Sequence, residues 1–185
     1  ALNKLDVPLL THGGEEKAVH GLGAHDFGNP LRLRRALDAG VRVVIAHCSS
    51  LGSDRDLDQG PNGPYVESFS LFVRVFERFK NCYGDISAMT QLNRPAPALV
   101  RLLEEQGWHA RLLNGSDYPL PGVMPLFALQ HFVSLKLLEE SALPVLTEIR
   151  RHNPLLFDFL LKRHLRSNGK AFAARVFETR AFFVR

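Results

Sequence analysis

Residues 111–121 read RLLNGSDYPLP. Leu112 and Leu113 run into a polar corner, Asn114-Gly115-Ser116-Asp117. Pro119 and Pro121 then stop any strand, because each lacks a ladder donor and fixes its own φ. The stretch reads as the end of a short buried strand, 108–113, that delivers a carboxylate. Two other apolar runs end in histidine: VPLLTH closes on His12 and VRVVIAH on His47. In a parallel α/β barrel the C-terminal strand ends share one face, so side chains distant in sequence converge there. His12, His47 and Asp117 are 35 and 70 positions apart, steps of about one and two βα units.

The runs between these strand ends support the same architecture. Residues 41–46 are almost continuously apolar and β-branched, as in a parallel strand covered on both faces. Before them, Pro30 suits a first helical turn, Leu31, Leu33, Ala36, Leu37 and Ala39 suit a buried side, and Gly40 suits the C′ position. The polar run 48–64 reads as a loop or lid on the face of His47. Residues 66–79 read as an amphipathic helix, with Phe69, Phe72, Val73 and Phe76 at helical spacing. A short strand at 82–86, a loop at 87–94 and a helix at 95–106 closed by Gly107 follow. Beyond Pro121 the expectation is helix at 124–140, 143–152 and 154–165, a break at Asn168-Gly169, and a last helix at 170–183. Strand and helix alternate without an Asn-Gly hairpin between neighbouring strands, which argues for parallel α/β.

Composition sets outer bounds. With 185 residues, 45% of them hydrophobic, the chain can bury a sizeable core, and one domain over 1–185 is the default. A complete (β/α)8 barrel needs about 250 residues, and the first residues read as the tail of a helix, so a preceding portion is expected. The formal charge is +4. From Thr147 onward nine Lys/Arg stand against three acids, yet they interleave with Phe and Leu, which reads as a solvated helix face; no nucleic-acid partner is expected. Cys48 and Cys82 form no CxxC, which points to a reducing, cytoplasmic setting. No apolar run reaches the roughly 18 residues of a membrane span.

Imidazole nitrogen and carboxylate oxygen are ordinary ligands of zinc and similar ions. Such an ion lowers the pKa of a bound water to about 7, and a neighbouring carboxylate can carry the proton. On TH after an apolar strand, VVIAHCSSLG one unit later and LLNGSDYPLP at the last strand, the chain resembles the amidohydrolase superfamily, nearest its amidohydrolase-related branch, which includes decarboxylases. The likeness covers residues 7–121, and NPLLFDFLLK resembles the family's closing helix. It implies a TIM (β/α)8 barrel of the metal-dependent hydrolase type, of which this chain is the second half, strands 5–8 plus C-terminal helices.

The resemblance further implies that His12 is a metal ligand, that His47 binds metal or orients substrate, and that Asp117 binds metal and acts as general base. Zinc is the expected ion, with manganese the alternative. The family's first-strand HxH and fourth-strand Lys or Glu have no counterpart here and would precede Ala1. The implied activity is hydrolysis of an amide, ester or lactone-type bond in a small molecule through a metal-activated water. A decarboxylase on the same scaffold and a non-catalytic α/β interaction module are the alternatives, and a homo-oligomer is open.

Plainer roles compete for each residue. Asp117 could cap a turn and His47 could be a satisfied core histidine. Asp85 could cap the next turn or support a ligand from behind. Glu15 and Glu16 read as a solvated pair, and His20 and His25 as loop histidines. Cys48 reads as buried packing rather than a nucleophile, since nothing adjacent clearly depresses its pKa.

Overall fold

A computed structural model describes residues 1–15, 25–123 and 126–184. The chain divides into two compact units, Ala1–Ile86 and Ser87–Arg185. Both are mixed in helix and strand. Among the described residues no helix is long and apolar enough to cross a membrane.

The first unit holds strands β1 (Leu9–His12), β2 (Val43–Ala46), β3 (Ser53–Arg55), β4 (Tyr65–Glu67) and β5 (Cys82–Asp85), and helices α1 (Arg34–Asp38) and α2 (Ser68–Arg78). β2 pairs in parallel with β1 on one side and β5 on the other, with Thr11 opposite Ile45 and Ile45 opposite Gly84. Val43, Val44 and Ile45 are at most 1% exposed, as a strand covered on both faces requires. The expected apolar stripe of α2 is buried, and Leu71 and Val75 widen it, while Arg74, Glu77 and Arg78 face solvent. Each such Phe, Leu or Val contributes about 1.5–3 kcal/mol when fully buried. The segment opening at Pro30 is a 3-10 turn, Pro30–Leu33, that passes into α1. Asn29 caps it through its side chain, and Gly40 follows at φ +78°.

The run 48–64 is not only loop. β3 and β4 form an antiparallel pair, Ser53 opposite Glu67 and Arg55 opposite Tyr65, around a 3-10 turn at Leu57–Gln59. Polar contacts build it: Asp56 accepts the Asp58 N–H and the Gln59 amide, and buried Asp54 accepts the Ser68 hydroxyl at 2.7 Å. Strands reading SDR and YVE carry no apolar alternation for a pattern reading to find.

The second unit contains α3 (Ala96–Glu104), β6 (Leu112–Leu113), α4 (Leu129–Ser134), α5 (Leu143–His152), α6 (Pro154–His164) and α7 (Arg180–Phe183). The strand expected at 108–113 shrinks to β6, because Gln106–Arg111 is a 3-10 helix. Buried His109 holds that turn: its Nε2 pairs with the Leu102 carbonyl at 2.8 Å and its Nδ1 accepts the Ala173 N–H at 3.1 Å. The helix expected at 124–140 is confined to α4, which Lys136 ends at φ 58°; Met124 lies outside the described residues. The expected last helix is a 3-10 turn, Ala174–Phe177, followed by α7. α5 and α6 match the sequence reading closely, with Asn153 accepting the Leu156 N–H and Pro154 in the first turn of α6.

Candidate functional site

In the first unit, parallel pairing puts the C-terminal ends of β1, β2 and β5 on the same edge of the sheet. His12 is the last residue of β1, His47 follows β2 directly, and Asp85 is the last residue of β5. The two imidazoles meet edge to face, ring centres 5.3 Å apart. His47 is buried and His12 half-buried. Gly13 and Gly14 let the loop after β1 lie on the loop after β2. A Cβ on Gly13 would stand 2.1 Å from Ser49 Oγ, and one on Gly14, at φ +80°, 2.4 Å from the Leu51 carbonyl oxygen.

His47, Cys48 and Ser49 form a left-handed run at φ 55°, 49° and 49°. Left-handed backbone costs an L-residue about 1–2 kcal/mol, so this turn must be held by its surroundings. Asp85 supplies much of the hold. Its Oδ1 accepts the His47 N–H at 3.1 Å, and its carbonyl accepts the Cys48 thiol at 3.1 Å. The Ser50 N–H closes the turn on the His47 carbonyl at 2.9 Å. The same Asp85 Oδ1 lies 3.9 Å from His47 Nδ1, an ion-pair distance longer than a hydrogen bond. Cys48 is fully buried and its thiol is engaged, which suits packing rather than nucleophilic attack.

Sequence reading placed Asp85 behind the histidines in rank, although the rule that found them, a polar residue closing a buried strand, also covers it. Glu16 and His20 lie outside the described residues. Glu15 lines a cleft of about 380 Å³ with Gly52, Ser53, Asp54 and Tyr65.

Asp117 belongs to the second unit, where it sits half-buried at φ 56°. The buried Gln91 side chain donates from Nε2 to Asp117 Oδ2 at 3.3 Å. The corner is tied on both sides: the Asn114 N–H donates to the Val176 carbonyl at 2.8 Å, and the Tyr118 N–H to Ser116 Oγ at 3.3 Å. From α6, Lys162 Nζ donates to the Gly115 carbonyl at 2.7 Å. Nothing in the spacing of the sequence marks Gln91 or Lys162 as partners of this corner.

The donor set can be tested against a divalent ion. Two imidazoles bound through nitrogen at about 2.0–2.1 Å to one tetrahedral ion have ring centres about 5 Å apart. The His12–His47 separation of 5.3 Å fits that value. Among the described residues, no group of three His, Cys, Asp or Glu side chains is arranged to hold a metal. The histidine pair therefore offers two nitrogen donors, one short of the three protein ligands usual at a catalytic zinc. No family model, no curated protein and no solved structure matches this chain.

Proposed function

We propose that this chain is the second half of a (β/α)8 metal-dependent hydrolase of the amidohydrolase kind, acting on an amide, ester or lactone bond of a small molecule. The observation that carries the reading is the His12–His47 pair at the ends of adjacent parallel strands, 5.3 Å between ring centres. In this reading His12 and His47 are the nitrogen ligands, and Asp117 supplies the carboxylate that the sequence resemblance assigns to the same ion. A bound divalent ion, zinc by preference, would supply a water acidic enough to react at neutral pH. The work left to the chain is orientation. Asp85 holds the backbone that aims His47, Gln91 restrains the Asp117 carboxylate, and Asp117 receives and returns the proton.

The test is metal content followed by variants. The purified full-length protein, dialysed against zinc and then against buffer, should retain about one zinc per chain by elemental analysis. His12→Ala and Asp117→Ala should each weaken retention at least tenfold. A chain that retains no zinc, or retains it equally well in both variants, overturns the proposal. Release of carbon dioxide rather than hydrolysis from a panel of carboxylated substrates would favour decarboxylation on the same ligands.

A further inference from the structure

The closing helix carries an ion pair that the reading above does not use. Lys162 and Asp158 lie one turn apart on α6, and both are buried, at 0% and 1% exposure. Lys162 Nζ donates to Asp158 Oδ2 at 2.6 Å and to the Gly115 carbonyl at 2.7 Å. Asp158 Oδ1 is buried without a hydrogen-bond partner among the described residues. A buried ion pair is rarely the most stable filling for its volume; well-packed apolar residues often do as well or better. Its retention calls for a task beyond stability.

The geometry points to one. We propose that Lys162, braced by Asp158, is the positioning residue of the Asp117 corner: its ammonium clamps the Gly115 carbonyl and so fixes the left-handed backbone from which the Asp117 carboxylate projects. Three features support this. The clamped carbonyl belongs to the residue two before Asp117, in the stretch that leads into its turn. The other ties of the corner do a different job: Val176 and Thr179 hold Asn114, while Lys162 is the side chain of α6 that reaches Gly115. Asp158 and Asp117 also feel one another. Burial is the main force holding the Asp158 carboxyl above the ordinary carboxylate range; Lys162 opposes that rise, and the Asp117 charge adds to it. The ammonium thus offsets the Asp158 charge while anchoring the Gly115 carbonyl.

The proposal rests on Asp117 being functional, and the experiment separates the two ideas. The variant is Lys162→Met with Asp158→Leu, which replaces the pair by apolar side chains of similar volume, in the full chain. Two quantities are read: amide hydrogen exchange at Tyr118 and Leu120, whose N–H groups donate to Ser116 Oγ and to the Asp117 carbonyl, and zinc affinity. With the midpoint of thermal unfolding kept, exchange at these two amides should rise at least tenfold while α5 amides stay unchanged. Zinc affinity should fall about 10–100-fold, the usual loss when a residue that orients a ligand is removed.

Unchanged exchange at both amides overturns the clamp whatever zinc does. Faster exchange together with zinc binding indifferent to Asp117→Ala keeps the clamp and removes the metal reading. If the double variant does not fold, Asp158→Asn carries the test. It keeps the shape but removes the bracing charge, so a several-fold rise in exchange at the same amides is expected and no rise overturns the clamp.

Discussion

Removing the Asp85 carboxylate should loosen the His47 turn without dismantling the sheet. Alanine at this position keeps the backbone carbonyl, so the Cys48 thiol retains its acceptor, and only the carboxylate's bonds are lost. Hydrogen bonds to a charged group are worth about 1.5–3 kcal/mol, and the His47 N–H would be left in a largely buried turn without that acceptor. The turn it supports already runs through three left-handed residues, His47, Cys48 and Ser49, so little local preference remains to hold it. Asp85→Ala should therefore cost about 1.5–3 kcal/mol, a fall of about 3–12 °C in the unfolding midpoint for a chain of this size. Asparagine keeps an uncharged acceptor, and neutral bonds contribute about 0.5–1.5 kcal/mol, so Asp85→Asn should lose roughly half as much. Urea unfolding followed by circular dichroism measures both variants against the parent. A parent-like Asp85→Ala, within about 0.5 kcal/mol, would refute the bracing role, as would an asparagine variant no better than alanine.

Gly84→Ala should destabilise by about 1–3 kcal/mol, since the new methyl would meet Cys48 Sγ and Phe72 Cζ, each at 2.7 Å, in a packed interior; a neutral result in chemical denaturation would show that these side chains can retreat. Burial holds the His109 imidazole below its ordinary value of 6.5, partly opposed by its bond to the Leu102 carbonyl, so the unfolded chain takes up this proton first. The contribution of His109 to stability is thus complete above pH 6.5, declines as pH falls from there through the folded pKa, and levels off below it. His109→Gln should flatten that part of the stability–pH curve, and a curve unchanged in shape would assign the slope to other groups.

Periodicity carried most of the first unit and the α5–α6 pair. Strands whose residues are buried on both faces announce themselves as unbroken β-branched runs, and 41–46 is one. α2 was legible for the complementary reason, a Phe-rich stripe on a 3.6-residue period. The β3–β4 hairpin was not, because Asp54, Asp56 and Ser68 hold it through polar contacts, and these leave no hydrophobic alternation. Trp108 and His109 misled in the opposite direction. They are apolar or aromatic and buried, as strand residues would be, but the His109 ring satisfies two backbone groups and winds the chain into a 3-10 turn. The last stretch failed similarly: 170–183 is rich in Phe and Arg, yet its turns are set by long-range backbone bonds such as Asn114 to Val176.

What the sequence offered about chemistry was a rule of position, that a polar residue closing a buried strand is placed to react. The backbone adds a second, independent mark on two of the three residues selected that way. His47 and Asp117 both adopt left-handed φ, a region uncommon for non-glycine residues although histidine and aspartate enter it more often than most, and each is restrained by a side chain from elsewhere in its unit: Asp85 for His47, and Gln91 with Lys162 for the Asp117 corner. Glycine would fit either φ without strain, so a turn selected for stability alone has a cheaper solution. The left-handed backbone keeps an imidazole in one case and a carboxylate in the other, with hydrogen bonds to the His47 backbone and to the Asp117 carboxylate. Outlying backbone of this kind is a reason to test these two residues, and it is read from φ rather than from the motif resemblance that first singled them out.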